Sequence, residues 1–556
     1  MNALRQRPDW SEAIVHPVRT FHTVRHLRPK QLVYRAIRSL QPVGAELAID
    51  ETLFLLARRP SPAAESCQAF DGRGFSFLNR RIAWDGANRW WPDGADDLWL
   101  FNLHYFRFLA SVDPAVGSDL VSDWLTANVD RRATAWHPYP ISLRVREWIE
   151  WLLEHQDLDP TLRARAIRSI AEQTESLRRR LEFGLMGNHL LENAITLCWA
   201  GLSFAGRRAD AWLEEGAQVL VRELRSQLLH DGMHQERSPM YQALLVEAIL
   251  RLAEVAAQSA KSSARRIHRV ATVASRRMIR ALQQLVHPDG EYALVNDTAL
   301  HMAPTYAALR ARFGISGAAA DRSELWTLDG AAYAGFRDTR GGYLVFDGGP
   351  IGPDHQVGHG HADTLSFELS AQGRRVLTDT GVYTYATGAA RQHDRSTAAH
   401  NTITIDDRDQ SELWGAFRCA RRVETDPIGA GPTRDGAALV GAYRGPGVRG
   451  GVGHQRSIAR QGSVLAFTDT VTAPGRHDAT LRLHFAPGIE LRRTTAGWSF
   501  GDRGRPPLGV LTSSLAWSAS TSPYHPEFGR EIERASLSAP IAFRNRTVAR
   551  WWLLLR

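Results

Sequence analysis

Cysteine is scarce. Cys67, Cys198 and Cys419 are the only three in 556 residues, and an odd number at wide spacing with no CxxC pair excludes a disulfide framework and a cysteine-based zinc site. Long apolar runs are also missing. No stretch reaches the roughly 18 apolar residues of a membrane span, and the N-terminus lacks the apolar core of a signal peptide. The chain therefore reads as cytoplasmic, with export by another route as the alternative. No GxSxG elbow, GxxxxGK[ST] loop or HExxH motif occurs, which argues against serine hydrolase, nucleotide and metalloprotease chemistry. Zinc fingers, RNP-type aromatic strands and basic helical arms are absent too, so nucleic acid is not the expected partner.

Lysine is almost lacking as well: arginine supplies nearly all of the 68 basic residues behind a net charge of +9. If that excess serves function, the partner is polyanionic. An acidic polysaccharide or oligosaccharide fits best, because guanidinium forks match carboxylates and the 17 tryptophans offer flat faces to sugar rings. The chain is too long for one hydrophobic core, so two or three domains are expected. Nothing in it specifies an oligomeric state.

The hydrophobic period divides the chain. Residues 1–84 form a mixed N-terminal extension. From 85 to 327 apolar residues recur at helical spacing, in segments near 119–128, 141–156, 160–182, 188–204, 208–229, 240–257 and 264–286. Short turns join them, which predicts antiparallel neighbours. From 328 to 556 the period becomes two and short strands follow one another without helices, which predicts an antiparallel sandwich.

Three constellations can carry chemistry. Gly187-Asn188-His189-Leu190-Leu191-Glu192 places His189 and Glu192 at i, i+3 on a helix, so that a carboxylate can orient an imidazole. Asn188 equally suits a helix cap, and His189 a core position. Arg237-Ser238-Pro239-Met240-Tyr241 starts a helix, with serine as cap and proline at the first position. Tyr241 then sits in the first turn as a candidate acid or base, unless its ring only packs. Gly358-His359-Gly360-His361-Ala362-Asp363 reads as the end of a strand, with both histidines on one face. With Asp379 and His400 these histidines offer nitrogen and oxygen ligands suited to a divalent metal such as zinc. Arg144, Arg391 and Arg395 are candidates to clamp a carboxylate, as is Arg237 beside Tyr241, and Trp136 and Tyr139 to stack on a ring.

Taken together, FNLHYF (101–106), WHPYPISLR (136–144), NHLLENA (188–194), ERSPMYQ (236–242), GHGHADTLSFEL (358–369), TDTG (378–381) and AHNTITID (399–406) resemble the heparinase II/III-like polysaccharide lyases and related alginate lyases. That resemblance implies an incomplete (α/α) toroid followed by a C-terminal antiparallel β-sandwich. It implies β-elimination on a uronate polysaccharide, with Asn188, His189 and Glu192 addressing the substrate carboxylate and Tyr241 and His359 moving protons. It assigns His361, Asp379 and His400 to a metal site, zinc in some members, with a mainly structural role. A uronate C5-epimerase using the same residues, or a carbohydrate-binding protein without turnover, is the alternative.

Overall fold

The computed structural model describes residues 17–40, 54–55, 69–86, 88–127, 134–315, 324–448 and 450–556. Cys67 lies outside them, while Cys198 and Cys419 are buried free thiols. The chain divides into two compact units. The described residues of the first fall within Leu27–Leu228 and Leu244–Met278, and those of the second within Arg7–His26, Leu229–Ala243 and Ile279–Arg556.

The helical array comprises α1 (Asp97–Tyr105), α2 (Pro114–Ala127), α3 (Pro138–Glu154), α4 (Pro160–Arg179), α5 (Gly187–Ser203), α6 (Arg207–Gln227), α7 (Pro239–Ala257) and α8 (Ala264–Gln284). The ends are written in the sequence. Asp159 caps α4 by accepting the Leu162 N–H at 2.8 Å, with Pro160 at the first helical position. Arg178 and Arg179 in its last turn face the negative end of the helix dipole. Helices α5 and α6 meet at glycines: a Cβ on Gly201 would lie 2.6 Å from the Leu213 nitrogen, and one on Gly216 2.8 Å from the Cys198 nitrogen. Only a residue without a side chain lets the two backbones approach this closely.

In the second unit, β1 (Leu325–Leu328), β2 (Tyr333–Arg337), β3 (Tyr343–Asp347), β4 (Phe367–Ala371) and β5 (Arg374–Leu377) form an antiparallel meander in that order. An eleven-stranded antiparallel sheet follows, to which β6 (Ile403–Ile405), β7 (Gly436–Gly445), β8 (Val452–Gln461), β9 (Val464–His484) and β10 (Arg530–Leu555) belong. Side chains of both sheets fill one core. Phe367 of β4 lies 4.9 Å from Phe467 of β9, which stacks on Trp551 of β10 at 3.7 Å. Along β9 the positions 465, 467, 469 and 471 turn inward, as the two-residue period requires. One of them is Asp469, which is satisfied in the core by Arg456 Nε at 2.7 Å, His454 Nε2 at 2.8 Å and Trp551 Nε1 at 2.9 Å. Without those donors its burial would be strongly unfavourable.

The structure corrects one local expectation. Residues 358–366 are an irregular loop, and the strand begins only at Phe367. Leu365 has a φ of +69°, incompatible with a strand, and a Cβ on Gly360 would lie 1.8 Å from the Ile351 carbonyl oxygen. Backbone bonds from Gly360 to Val357 and from Ser366 to Asp363 close turns instead of extending a ladder. Among the described residues, no helix is long and apolar enough to cross a membrane.

Candidate active site

The second unit gathers Tyr241, His359 and His361 around a residue that the sequence did not single out. Asp297 is fully buried. Its Oδ2 accepts from His359 Nδ1 at 2.8 Å and its Oδ1 from His361 Nε2 at 2.9 Å. Arg391 clamps both oxygens, Nη2 to Oδ2 at 2.8 Å and Nη1 to Oδ1. Burial pushes the Asp297 carboxyl upward, but the Arg391 charge and the histidine bonds outweigh it and hold the group well below the usual carboxylate range. Arg391 therefore serves this carboxylate from inside the fold.

Tyr241 stands over His359, ring centroids 4.2 Å apart, and its hydroxyl is 3.0 Å from that of Tyr385. Ser238 caps the helix that carries it, accepting the Tyr241 N–H at 3.3 Å. Burial first, then Tyr385 and Asp297, push the Tyr241 phenol well above its ordinary value. Tyr385 in turn lies under the Arg391 guanidinium at 4.9 Å.

Close to this group His361, Asp379 and His400 place one potential ligand atom each within 4.8 Å of one another. Two buried ring nitrogens, His361 Nδ1 and His400 Nε2, have no hydrogen-bond partner. Each ring's other nitrogen is occupied, His361 Nε2 by Asp297 and His400 Nδ1 by Asp379 at 2.7 Å. Orphaned imidazole nitrogens beside a carboxylate are what a tetrahedral N/O metal site needs, so the residues fit a divalent cation of the zinc type.

In the first unit, α5 opens on two positive-φ residues, Met186 (φ +64°) at its N-cap and Gly187 (φ +58°) as its first residue. Asn188 and Glu192 are buried, and His189 packs against Tyr139 with ring centroids 4.3 Å apart. Glu192 was expected to orient His189. The structure gives that task to Glu182, whose Oε1 is 3.1 Å from His189 Nδ1 and 3.7 Å from His137 Nδ1. Asn193 locks Glu182 in place through two bonds of 2.9 and 3.0 Å. Glu192 pairs with Arg146 at 2.5 Å. On a helix the i+3 carboxylate was within reach, but the arginine from α3 claims it.

Four expected substrate contacts are used internally. Arg144 is completely buried, gives Nε to Gln173 at 2.8 Å, Nη1 to the His104 carbonyl at 2.9 Å and Nη2 to that of Ala135 at 2.7 Å, and covers Trp124 at 4.3 Å. Arg395 is 1% exposed and donates to the carbonyls of Gly360 and Ala416 at 3.0 and 3.1 Å, bracing the histidine loop. Trp136 is buried and stacks on Trp124. Arg237, at φ +57°, donates Nε to the Ala331 carbonyl at 3.2 Å. Asp297 and Tyr385 went unnoticed in the sequence because they lie 62 and 144 positions from the residues they meet, and Glu182 because it sits in the turn before the helix that carries His189.

Two family profiles match, Heparinase II/III N-terminus over residues 115–311 and Heparinase II/III-like, C-terminal over residues 320–545, and between them they take in more than half of the chain. The chain belongs to the heparinase II/III family. Among relatives of this family member, a heparin-sulfate lyase of Pedobacter heparinus is 25% identical over 390 residues, 61% of this chain and 56% of that protein. FtsZ-localized protein C of Caulobacter vibrioides is 25% identical over 371 residues, 63% and 58% of the two. The chain thus spans a little over half the length of the curated relatives it matches. Among solved structures, that of heparinase III superimposes with a TM-score of 0.70 at 16% identity, over 99% of this chain and 91% of that one. The fold is accordingly an incomplete (α/α) toroid followed by an antiparallel β-sandwich.

Proposed function

We propose that this heparinase II/III family member is a polysaccharide lyase that cleaves a uronate-containing anionic polysaccharide by β-elimination. The observation that carries the reading is the Tyr241–His359 pair at 4.2 Å, with His359 held through Nδ1 by Asp297. In the reaction a base removes the proton at C5, the C5–H electrons form the C4–C5 double bond, the C4–O4 bond breaks, and the departing oxygen takes a proton. A phenol held well above its ordinary value starts the cycle protonated, which supports Tyr241 as the donor to O4. His359, with its proton pinned at Nδ1, keeps a lone pair on Nε2, which supports it as the acceptor of the C5 proton.

Asn188 and His189 are assigned to the substrate carboxylate, where each positioned donor stabilises the enolate-like transition state by about 3 kcal/mol. Glu182 holds His189 for that task. His361, Asp379 and His400 would hold the divalent cation, which when bound ties three segments of the sandwich together. The name of the lyase relative supports turnover. That of the equally similar FtsZ-localized protein speaks of location alone, and keeps binding without turnover as a second reading.

The test is incubation of the purified chain with a panel of uronate polysaccharides. A rise in ultraviolet absorbance from the unsaturated uronate is the expected result. Deuterium incorporation at C5 without cleavage would replace the lyase by an epimerase, and binding with neither would remove both.

A further inference from the structure

The Asn296-Asp297 pair is laced to the histidine loop through backbone and side chain alike. Asp297 donates its N–H to the His359 carbonyl at 3.0 Å, and Asn296 Oδ1 accepts the His361 N–H at 3.2 Å. Asn296 stands at φ +54° and is fixed by bonds from its Nδ2 to the Arg237 carbonyl at 3.2 Å and to the Tyr333 hydroxyl at 3.0 Å. The Asp297 carboxylate therefore meets both rings from a rigid mount.

We propose that Asp297 is a positioning residue that fixes the tautomers of two histidines at once, holding the His359 proton on Nδ1 and the His361 proton on Nε2. The argument is one of donors and acceptors. An ionised carboxylate can only accept, so each ring nitrogen facing it must carry a hydrogen. Each oxygen receives one imidazole N–H and one Arg391 N–H, which leaves neither histidine an alternative partner on Asp297. In a neutral ring the second nitrogen then holds the lone pair. For His361 that nitrogen is Nδ1, the buried atom left without a partner in the His361-Asp379-His400 group. For His359 it is Nε2, the atom that takes the C5 proton, a clause that rests on the lyase reading. One buried carboxylate thus prepares a metal ligand and a proton acceptor through its two oxygens. Partners of this kind orient a metal-bound imidazole, and their loss typically weakens metal affinity by about 10- to 100-fold.

The decisive measurement is the ¹⁵N imidazole spectrum of the full-length, metal-free protein, with His359 and His361 assigned from their His→Gln variants. The expected result is an Nδ1–H signature for His359 and an Nε2–H signature for His361; the opposite tautomer at either ring overturns the proposal. Asp297→Asn offers one acceptor and one donor where there were two acceptors, so at least one ring must change tautomer, and zinc affinity by chelator competition should fall about 10- to 100-fold. Because that variant takes from buried Arg391 the carboxylate it clamps, Asp297→Asn/Arg391→Gln is the companion that removes both charges and should shift the same signals. Wild-type signals and wild-type zinc affinity in a folded variant would show that Asp297 only neutralises Arg391. These readouts need no substrate, so a chain that cleaves nothing but shows the stated tautomers would refute the lyase and leave Asp297 in this role.

Discussion

At the scale of single residues, the chemistry depends on who holds whom. Tyr241 is placed by the Ser238 cap and by ring contact with His359, neither of which uses its hydroxyl; only the bond to Tyr385 does. Tyr241→Phe should therefore lower kcat by about 10²- to 10⁴-fold, the usual span for a lost acid–base group. Circular dichroism and melting should remain those of the parent. Unchanged formation of unsaturated product in that variant would take Tyr241 out of the mechanism.

At the scale of elements, the helical array is held by close packing and by a few buried charges. Gly201→Ala inserts a Cβ 2.6 Å from the Leu213 nitrogen, so α5 and α6 must separate, and overpacking of this kind destabilises by about 1–3 kcal/mol. A chemical denaturation curve that superimposes on the parent's would contradict that contact. Glu175 joins α4 to α6, accepting from Arg178 Nη2 at 2.7 Å, Arg179 Nε at 3.1 Å and Trp212 Nε1 at 3.1 Å. Burial raises its carboxyl, but these donors prevail and bring it down from the ordinary 4.5 to about 2. The folded value is below the unfolded one, so the unfolded chain takes up the proton first as pH falls. The contribution is complete above about pH 4.5 and drains away toward about pH 2. Glu175→Gln should be less stable near neutrality and should flatten the acid dependence of the denaturation midpoint over that window; parallel curves for variant and parent would sink the idea.

At the scale of the whole molecule, charge and the metal group matter most. Helix α8 carries Arg265, Arg266, Arg269, Arg276, Arg277 and Arg280 with no acidic residue along its length, and Arg266 lines an open groove of about 430 Å³ with Arg222 and Arg225. Attraction of a polyanion by such a field is screened over a Debye length of about 10 Å at 0.1 M salt. KM for the proposed polysaccharide substrate should accordingly rise with ionic strength while kcat changes little, and a salt-independent KM would assign recognition to short-range contacts alone. A metal held by His361, Asp379 and His400, as proposed, would stabilise only the folded chain, so chelation should lower the melting temperature and readdition of zinc restore it. His361→Ala should melt at that lower temperature with or without zinc. Elemental analysis that finds no metal in the well-folded protein would end this assignment.

The sequence by itself determined the order of architectures and marked the residue types that the fold gathers. Helices and strands follow from local periodicity, and predicted segments such as 188–204 and 240–257 match α5 and α7 to within a residue, because amphipathic spacing and Ser-Pro or Asp-Pro starts act over one or two turns. Tyr241, His359 and the His361-Asp379-His400 set were legible as residue types in a pattern. Only the tertiary structure decided their supports. Asp297 stands 62 positions from His359, Glu182 reaches His189 from a turn before the helix, and Tyr385 lies 144 positions from Tyr241. The same long-range packing buried Arg144 and Arg395 and turned the expected histidine strand into a loop. Hydrogen bonds between distant segments leave no period in a sequence, since each partner is free to sit wherever the fold returns the chain.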